Sequence, residues 1–167
     1  FRTTMFRAYN AGRGEAQGVR PACRRGCSAC CRNAVGVSAW EADRLRAAVA
    51  SLPEAVLAGV RERTRAALVD PASPPRIWPP SEGDRLRWRI AGTPCPLVDP
   101  ADGSCLVWPS RPAVCRVYNV LRGPEGVCDT PGAIGMAIPF ADLLAEAGRL
   151  AGGGRRWLPA VLADPGP

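Results

Sequence analysis

The stretch PACRRGCSACCRN, residues 21–33, places four of the chain's eight cysteines within nine residues: Cys23, Cys27, Cys30 and Cys31. On a regular helix these positions would share one stripe, because they are spaced i, i+4, i+7 and i+8. That helix would separate the first and last of them by about 12 Å, whereas a Zn–S bond is only about 2.3 Å long. We therefore expect this segment to wrap as a loop or to divide its cysteines between sites.

The remaining four cysteines form a second group later in the chain: Cys95, Cys105, Cys115 and Cys128. Thiolates are soft ligands that suit zinc ions and iron–sulfur clusters, and four of them complete either kind of site. We predict that all eight cysteines are metal ligands and that each metal takes ligands from both groups. A carboxylate is an alternative for a last position, with Asp99, Asp102 and Asp129 as candidates.

Two other interpretations of the cysteines stay open at this stage. A reduced cysteine is a small hydrophobe that is often buried, although a core stripe is normally built of Leu, Val and Ile. An even number of cysteines also permits a disulfide framework. Eight cysteines in 167 residues nevertheless fall below the roughly 8–10% that is typical of disulfide scaffolds. A single disulfide beside a metal site is a further alternative.

Charge and residue usage exclude several classes of chemistry. The net charge is +7, and all 22 basic residues are arginines. Because the chain has no histidine, histidine-activated nucleophiles and imidazole-bound zinc are excluded. Because it has no lysine, a Schiff-base lysine and a complete phosphate-binding P-loop are excluded as well.

The same composition bears on partners and localisation. Arginine is the basic residue throughout, and no basic stripe interleaves with aromatics, which argues against nucleic-acid binding. No apolar run approaches the roughly 18 residues that span a bilayer, and the first residues lack an apolar signal core. We expect a cytoplasmic protein with a protein or peptide partner and no membrane span.

Two helices are predicted between the cysteine groups. Residues 38–52 open with Ser38 and Glu41 in the S-x-x-E spacing of a capping box. Residues 53–69 have the composition of a second helix, which Asp70 and the proline after it would end. The short break between the two helices predicts an antiparallel helical hairpin.

The rest of the chain is less regular. Residues 85–90, RLRWRI, alternate charged and apolar side chains, which predicts a half-exposed strand. Residues 95–108 indicate two extended pieces around a turn, and residues 138–151 indicate a last amphipathic helix. The fold predicted is mainly α with a small β/loop-rich cysteine centre, a single irregular metal-stapled domain over residues 1–167 with its core at about 20–150.

Three motifs in order resemble the YkgJ-type cysteine-cluster family, which is described as a zinc- or iron-chelating domain. The first is C-x3-C-x2-C-C in residues 21–33, and the second is a C-P-L step at residues 95–97. The third, CLVWPSRPAVCRVYN, carries the pattern C-x-V-x-x-x-R-P-x-x-C-R-x-Y. Trp108 stands where the family often has tyrosine. The resemblance covers residues 20–130 approximately.

The resemblance implies a metal-binding protein. A related cysteine cluster in flagellin lysine methylases is associated with an iron–sulfur cluster, so we expect a 4Fe–4S cluster before zinc. The methylase activity does not carry over, since the chain has no signature for S-adenosylmethionine, and no catalytic residue is assigned. The alternative is a zinc-stabilised interaction module. Arg111 and Arg116 flank Cys115, where positive charge stabilises thiolate, so both are candidate cofactor-binding residues.

Overall fold

The computed structural model describes residues 25–74, 79–112, 114–115 and 154–164. Over these residues the architecture is mainly α, as predicted, with one small sheet. The α-helices of the described part are α1 (Ala39–Ala50), α2 (Glu54–Val69), α3 (Glu82–Ala91) and α4 (Leu158–Ala163). The helix predicted over residues 138–151 lies outside the described residues.

The sheet joins the residues just after the first cysteine group to the segment over residues 154–164. Its strands are β1 (Gly36–Val37) and β2 (Arg156–Trp157), which pair antiparallel with Gly36 opposite Trp157. The pairing continues beyond the strands, where the Leu158 N–H donates to the Val35 carbonyl at 3.0 Å. The start of α4 is thereby held beside the chain that follows the first cysteine group.

Helix α1 begins where the sequence predicted. The Ser38 hydroxyl accepts a hydrogen bond from the Glu41 N–H, and the Glu41 carboxylate accepts one from the Ser38 N–H at 3.0 Å. This capping box satisfies two N–H groups that the first turn of a helix leaves without partners. The end of α2 before Asp70 is also confirmed.

The strand predicted over residues 85–90 is wrong, because this segment lies within α3. A second capping box starts the helix, with the Ser81 hydroxyl accepting from the Asp84 N–H at 3.1 Å. Gly92 ends it in the left-handed conformation at φ 71°, which glycine adopts without a Cβ penalty. Of the apolar side chains that alternate in sequence, the helix buries Trp88 and exposes the others.

We expect the substitution Ser81→Ala to lower the free energy of unfolding by about 1 kcal/mol, the usual cost of losing an N-cap side chain. The capped helix presents buried Trp88 to the core, so fraying of its first turn weakens that packing. Urea unfolding followed by circular dichroism would measure the loss. Ser81→Thr keeps a capping hydroxyl and should retain most of the stability; equal losses for both variants would contradict this role.

The larger apolar cluster connects the helices with the second cysteine segment. Its buried members come from β1, α1, α2, α4 and residues 97–107: Val37, Ala42, Leu45, Val60, Leu97, Val107, Leu158 and Val161. Cys95 and Cys105 pack against this cluster. The loop that carries Cys95 and Cys105, called the cysteine loop below, therefore borders the apolar core.

Among the described helices, α4 makes its most extensive contact with α2, and it also contacts α1. Helices α1 and α2 contribute buried side chains to the same apolar cluster, and the antiparallel hairpin predicted for them stays a prediction. Trp157 and Leu158 are both buried. Within the described ranges, the structure has no helix whose length and apolar character would let it cross a membrane.

Candidate metal centre

The first cysteine segment, where it is described, does not continue as a regular α-helix. Gly26 has a φ of 84°, and a short 3₁₀ helix follows over Ala29–Arg32. The Cys31 N–H donates to the Ser28 carbonyl at 2.9 Å, as the tighter 3₁₀ turn requires. This wrapping is one of the two arrangements expected from the spacing, and it lets the neighbouring Cys30 and Cys31 thiols hydrogen-bond each other.

The second cysteine segment has the turn that was predicted, but a single antiparallel bridge flanks it in place of two extended pieces. Val98 and Cys105 form an isolated antiparallel bridge, and the Asp99 N–H donates to the Ser104 carbonyl at 2.8 Å. The Asp102 carboxylate accepts from the Ser104 N–H at 2.8 Å. The Asp102 carboxylate therefore stabilises the turn through this hydrogen bond.

The two segments contact each other through their backbones. The Cys95 N–H donates to the Cys31 carbonyl at 2.8 Å. A Cβ atom added to Gly103 would lie 2.5 Å from the Gly26 carbonyl oxygen, and both glycines have positive φ. Only glycine, which has no Cβ, allows the two backbones to approach this closely. The turn of the second segment therefore packs directly against the first segment.

The described parts of the two cysteine groups therefore meet in one place. The thiols that act electrostatically on one another are Cys30, Cys31, Cys95, Cys105 and Cys115. Cys115 reaches this place from a short helical turn, in which its N–H donates to the Pro112 carbonyl at 3.0 Å. Cys27 is half-buried in the first segment. Cys23 and Cys128 lie outside the described residues.

Burial and mutual proximity favour the protonated thiols of Cys31, Cys95 and Cys115. Burial raises the pKa of Cys95 to about 12, although a hydrogen bond from the Leu97 N–H acts in the opposite direction. The hydrogen bond with Cys30, followed by burial, raises the pKa of Cys31 far above its usual range. Burial, followed by the charge of Cys95, raises the pKa of Cys115. A cation is needed to favour thiolates here, and metal binding would release the protons.

Two described arginines lie beside the thiols. The Arg111 guanidinium stacks on Trp108, with Cζ at 3.4 Å from the ring centre, and its charge opposes the effect of burial on the pKa of Cys115. Arg63 of α2 donates from Nε to the Pro96 carbonyl at 3.0 Å and acts in the same way on Cys95. Sequence reasoning missed Arg63, because nothing in an arginine-rich helix distinguishes it. Arg116 lies outside the described residues.

The donor chemistry of this region fits a thiolate-bound metal. The six described cysteines are not joined in disulfides, and soft thiolates are the ligands that zinc and iron–sulfur centres use. Within residues 25–74, 79–112, 114–115 and 154–164, no group of three or more cysteine or acidic side chains is arranged to hold a metal ion. Closing a site from these thiols would require side-chain adjustment, the two remaining cysteines, or both.

These features define a small helical protein whose cysteine segments converge beside an apolar core. The chain belongs to the CxxCxxCC family, described as "Putative zinc- or iron-chelating domain", whose model matches residues 22–129. That range contains all eight cysteines. A search of the curated proteins finds no match, and a search of the solved structures finds none either. The family confirms the resemblance noted from the motifs and supports zinc or iron chelation.

Proposed function

We propose that this protein holds an iron–sulfur cluster, of the 4Fe–4S type, through cysteine thiolates. The observation that carries the proposal is the convergence of thiols from residues 30–31, 95–105 and 115 at the border of the apolar core. When bound, such a cluster supplies one-electron redox chemistry. The protein would use it in redox, in metal handling or in a modification step with a protein or peptide partner.

The ligands in this proposal are drawn from the eight cysteines of both groups: Cys23, Cys27, Cys30, Cys31, Cys95, Cys105, Cys115 and Cys128. Arg111 and Arg116 would place positive charge near the net negative charge of a thiolate-bound centre. The six described thiols, which are outside disulfides, suit the reducing cytoplasm. Since the second cysteine segment contributes to the main apolar cluster, we propose that the chain functions as one domain.

A zinc-stabilised interaction module is the second candidate, and the packing of Cys95 and Cys105 against the apolar cluster favours it. A structural zinc ion contributes folding free energy, so a site at the edge of the core would stabilise the whole protein. Chelation of that zinc should unfold the protein. Cobalt in its place should give the absorption spectrum of a tetrahedral thiolate site.

We expect protein purified without oxygen to be brown and to contain iron and acid-labile sulfide in equal amounts. The reason is that eight thiolates, with no histidine, match the all-cysteine ligation of iron–sulfur clusters. Elemental analysis, sulfide determination and a count of alkylatable thiols before and after chelation would measure this. Colourless protein that contains only zinc would replace the first candidate with the second, and protein free of both metals would refute metal binding.

A further inference from the structure

Arg63 connects helix α2 to the cysteine loop at the residue that follows Cys95. Its Nε donates to the Pro96 carbonyl at 3.0 Å, across 33 positions of sequence. Pro96 is fully buried, and Arg63 is half-buried. A hydrogen bond from a charged donor to a buried carbonyl is among the stronger kinds in proteins, so it fixes where this part of the loop lies against the helix.

Gly59 lies one helical turn before Arg63 and makes room for its guanidinium. A Cβ atom at Gly59 would lie 3.0 Å from Nη1 of Arg63, which is closer than side-chain carbons normally approach other atoms. Glycine inside a helix is less favourable than alanine by about 1 kcal/mol. The position of the Arg63 guanidinium explains the glycine, because the guanidinium lies along the helix surface close to the place that a Cβ atom of residue 59 would occupy.

We infer that Arg63 is a positioning residue of the metal centre, which orients the Cys95 ligand loop through its hydrogen bond to the Pro96 carbonyl. This inference rests on the proposed function. Arginine suits the role because its guanidinium stays charged and holds its donors in a rigid plane.

The test measures Co²⁺ binding by the reduced, metal-free protein. Binding is monitored by the thiolate-to-cobalt absorption while the protein competes for Co²⁺ with a chelator of known affinity. Groups that orient metal ligands typically contribute 10- to 100-fold to affinity. We therefore expect Arg63→Met to weaken Co²⁺ binding by about tenfold or more. Arg63→Lys, which keeps the charge and loses the planar donors, should fall between Arg63→Met and the unsubstituted chain.

The control on the same helix is Arg65→Met, because Arg65 is exposed and has no contact with the cysteine loop among the described hydrogen bonds and ion pairs. It should bind Co²⁺ with unchanged affinity. An Arg63→Met affinity within twofold of the unsubstituted chain would overturn the positioning role. Absence of Co²⁺ binding by the unsubstituted chain, together with absence of iron and sulfide from protein purified without oxygen, would instead refute the proposed metal site itself, so the two failures are distinguishable.

Gly59→Ala keeps the experiment decisive if Arg63→Met does not fold. Alanine favours the helix, and its Cβ would force Nη1 of Arg63 to move by a few tenths of an ångström, so we expect a smaller loss of Co²⁺ affinity than for Arg63→Met. The matched control is Gly83→Ala in α3, where the added Cβ would lie 3.6 Å from Arg87 Nη1, an ordinary contact. If Arg63→Met does not fold, an Arg63→Lys affinity within about twofold of the unsubstituted chain, together with equal Co²⁺ affinities for Gly59→Ala and Gly83→Ala, would overturn the inference.

Discussion

Replacing Cys95 with alanine is expected to abolish stable metal binding and to reduce the stability of the loaded protein to that of the metal-free form. Cys95 lies where the two cysteine groups meet: its N–H donates to the Cys31 carbonyl, and its thiol interacts with those of Cys30 and Cys105. Structural zinc sites contribute about 10–16 kcal/mol of apparent binding free energy in small domains. Loss of a central ligand removes much of that contribution.

Metal content per chain and thermal unfolding with and without chelator would measure the effect of Cys95→Ala. Because alanine removes only a sulfur atom, the metal-free variant should be nearly as stable as the metal-free parent, and the difference should appear only with metal. Ala101→Ser, an exposed change in the same loop, should leave both measurements unchanged. Full metal content in Cys95→Ala would show that this thiol is not a required ligand.

Local chemistry explains why parts of the fold could be predicted from the sequence. The α1 boundary follows from the Ser38–Glu41 capping box, which acts within four residues. The strand prediction for residues 85–90 failed because RLRWRI alternates as a strand would. The residues that start and end the helix, Ser81 and Gly92, lie outside those six residues. The contact between α2 and α4 could not be predicted, because it joins two helices that are far apart in the sequence.

The candidate site shows the same division between local and long-range information. Cysteine spacing alone ruled out a regular helix as a single-ion site, and the described segment indeed turns at Gly26 and continues as a 3₁₀ helix. The contact between Arg63 and Pro96 could not be predicted, because it depends on how α2 packs against a loop about thirty residues away. The close approach of Gly26 and Gly103 likewise depends on tertiary structure.

Trp157→Ala is expected to lower the free energy of unfolding by about 3–5 kcal/mol, the range for removing a buried aromatic side chain. Trp157 is 1% exposed and meets Trp88 edge to face, with ring centres 5.2 Å apart. This pair forms a second core cluster with Ala67 and Ala160, so the substitution leaves a cavity where α2, α3 and α4 meet. Trp40→Ala removes a ring that is 50% exposed and should cost much less.

The Trp157 cluster is separate from the apolar cluster that Cys95 and Cys105 border. The two clusters share no buried side chain, so most of the cost of Trp157→Ala should be the same in the metal-loaded and metal-free protein, although Trp157 also pairs with Gly36 close to the first cysteine group. Denaturant unfolding of both forms, with Trp40→Ala as control, would measure the two costs. A loss confined to the loaded form would mean that the tryptophan pair stabilises the protein through the metal centre, contrary to the separation of the two clusters.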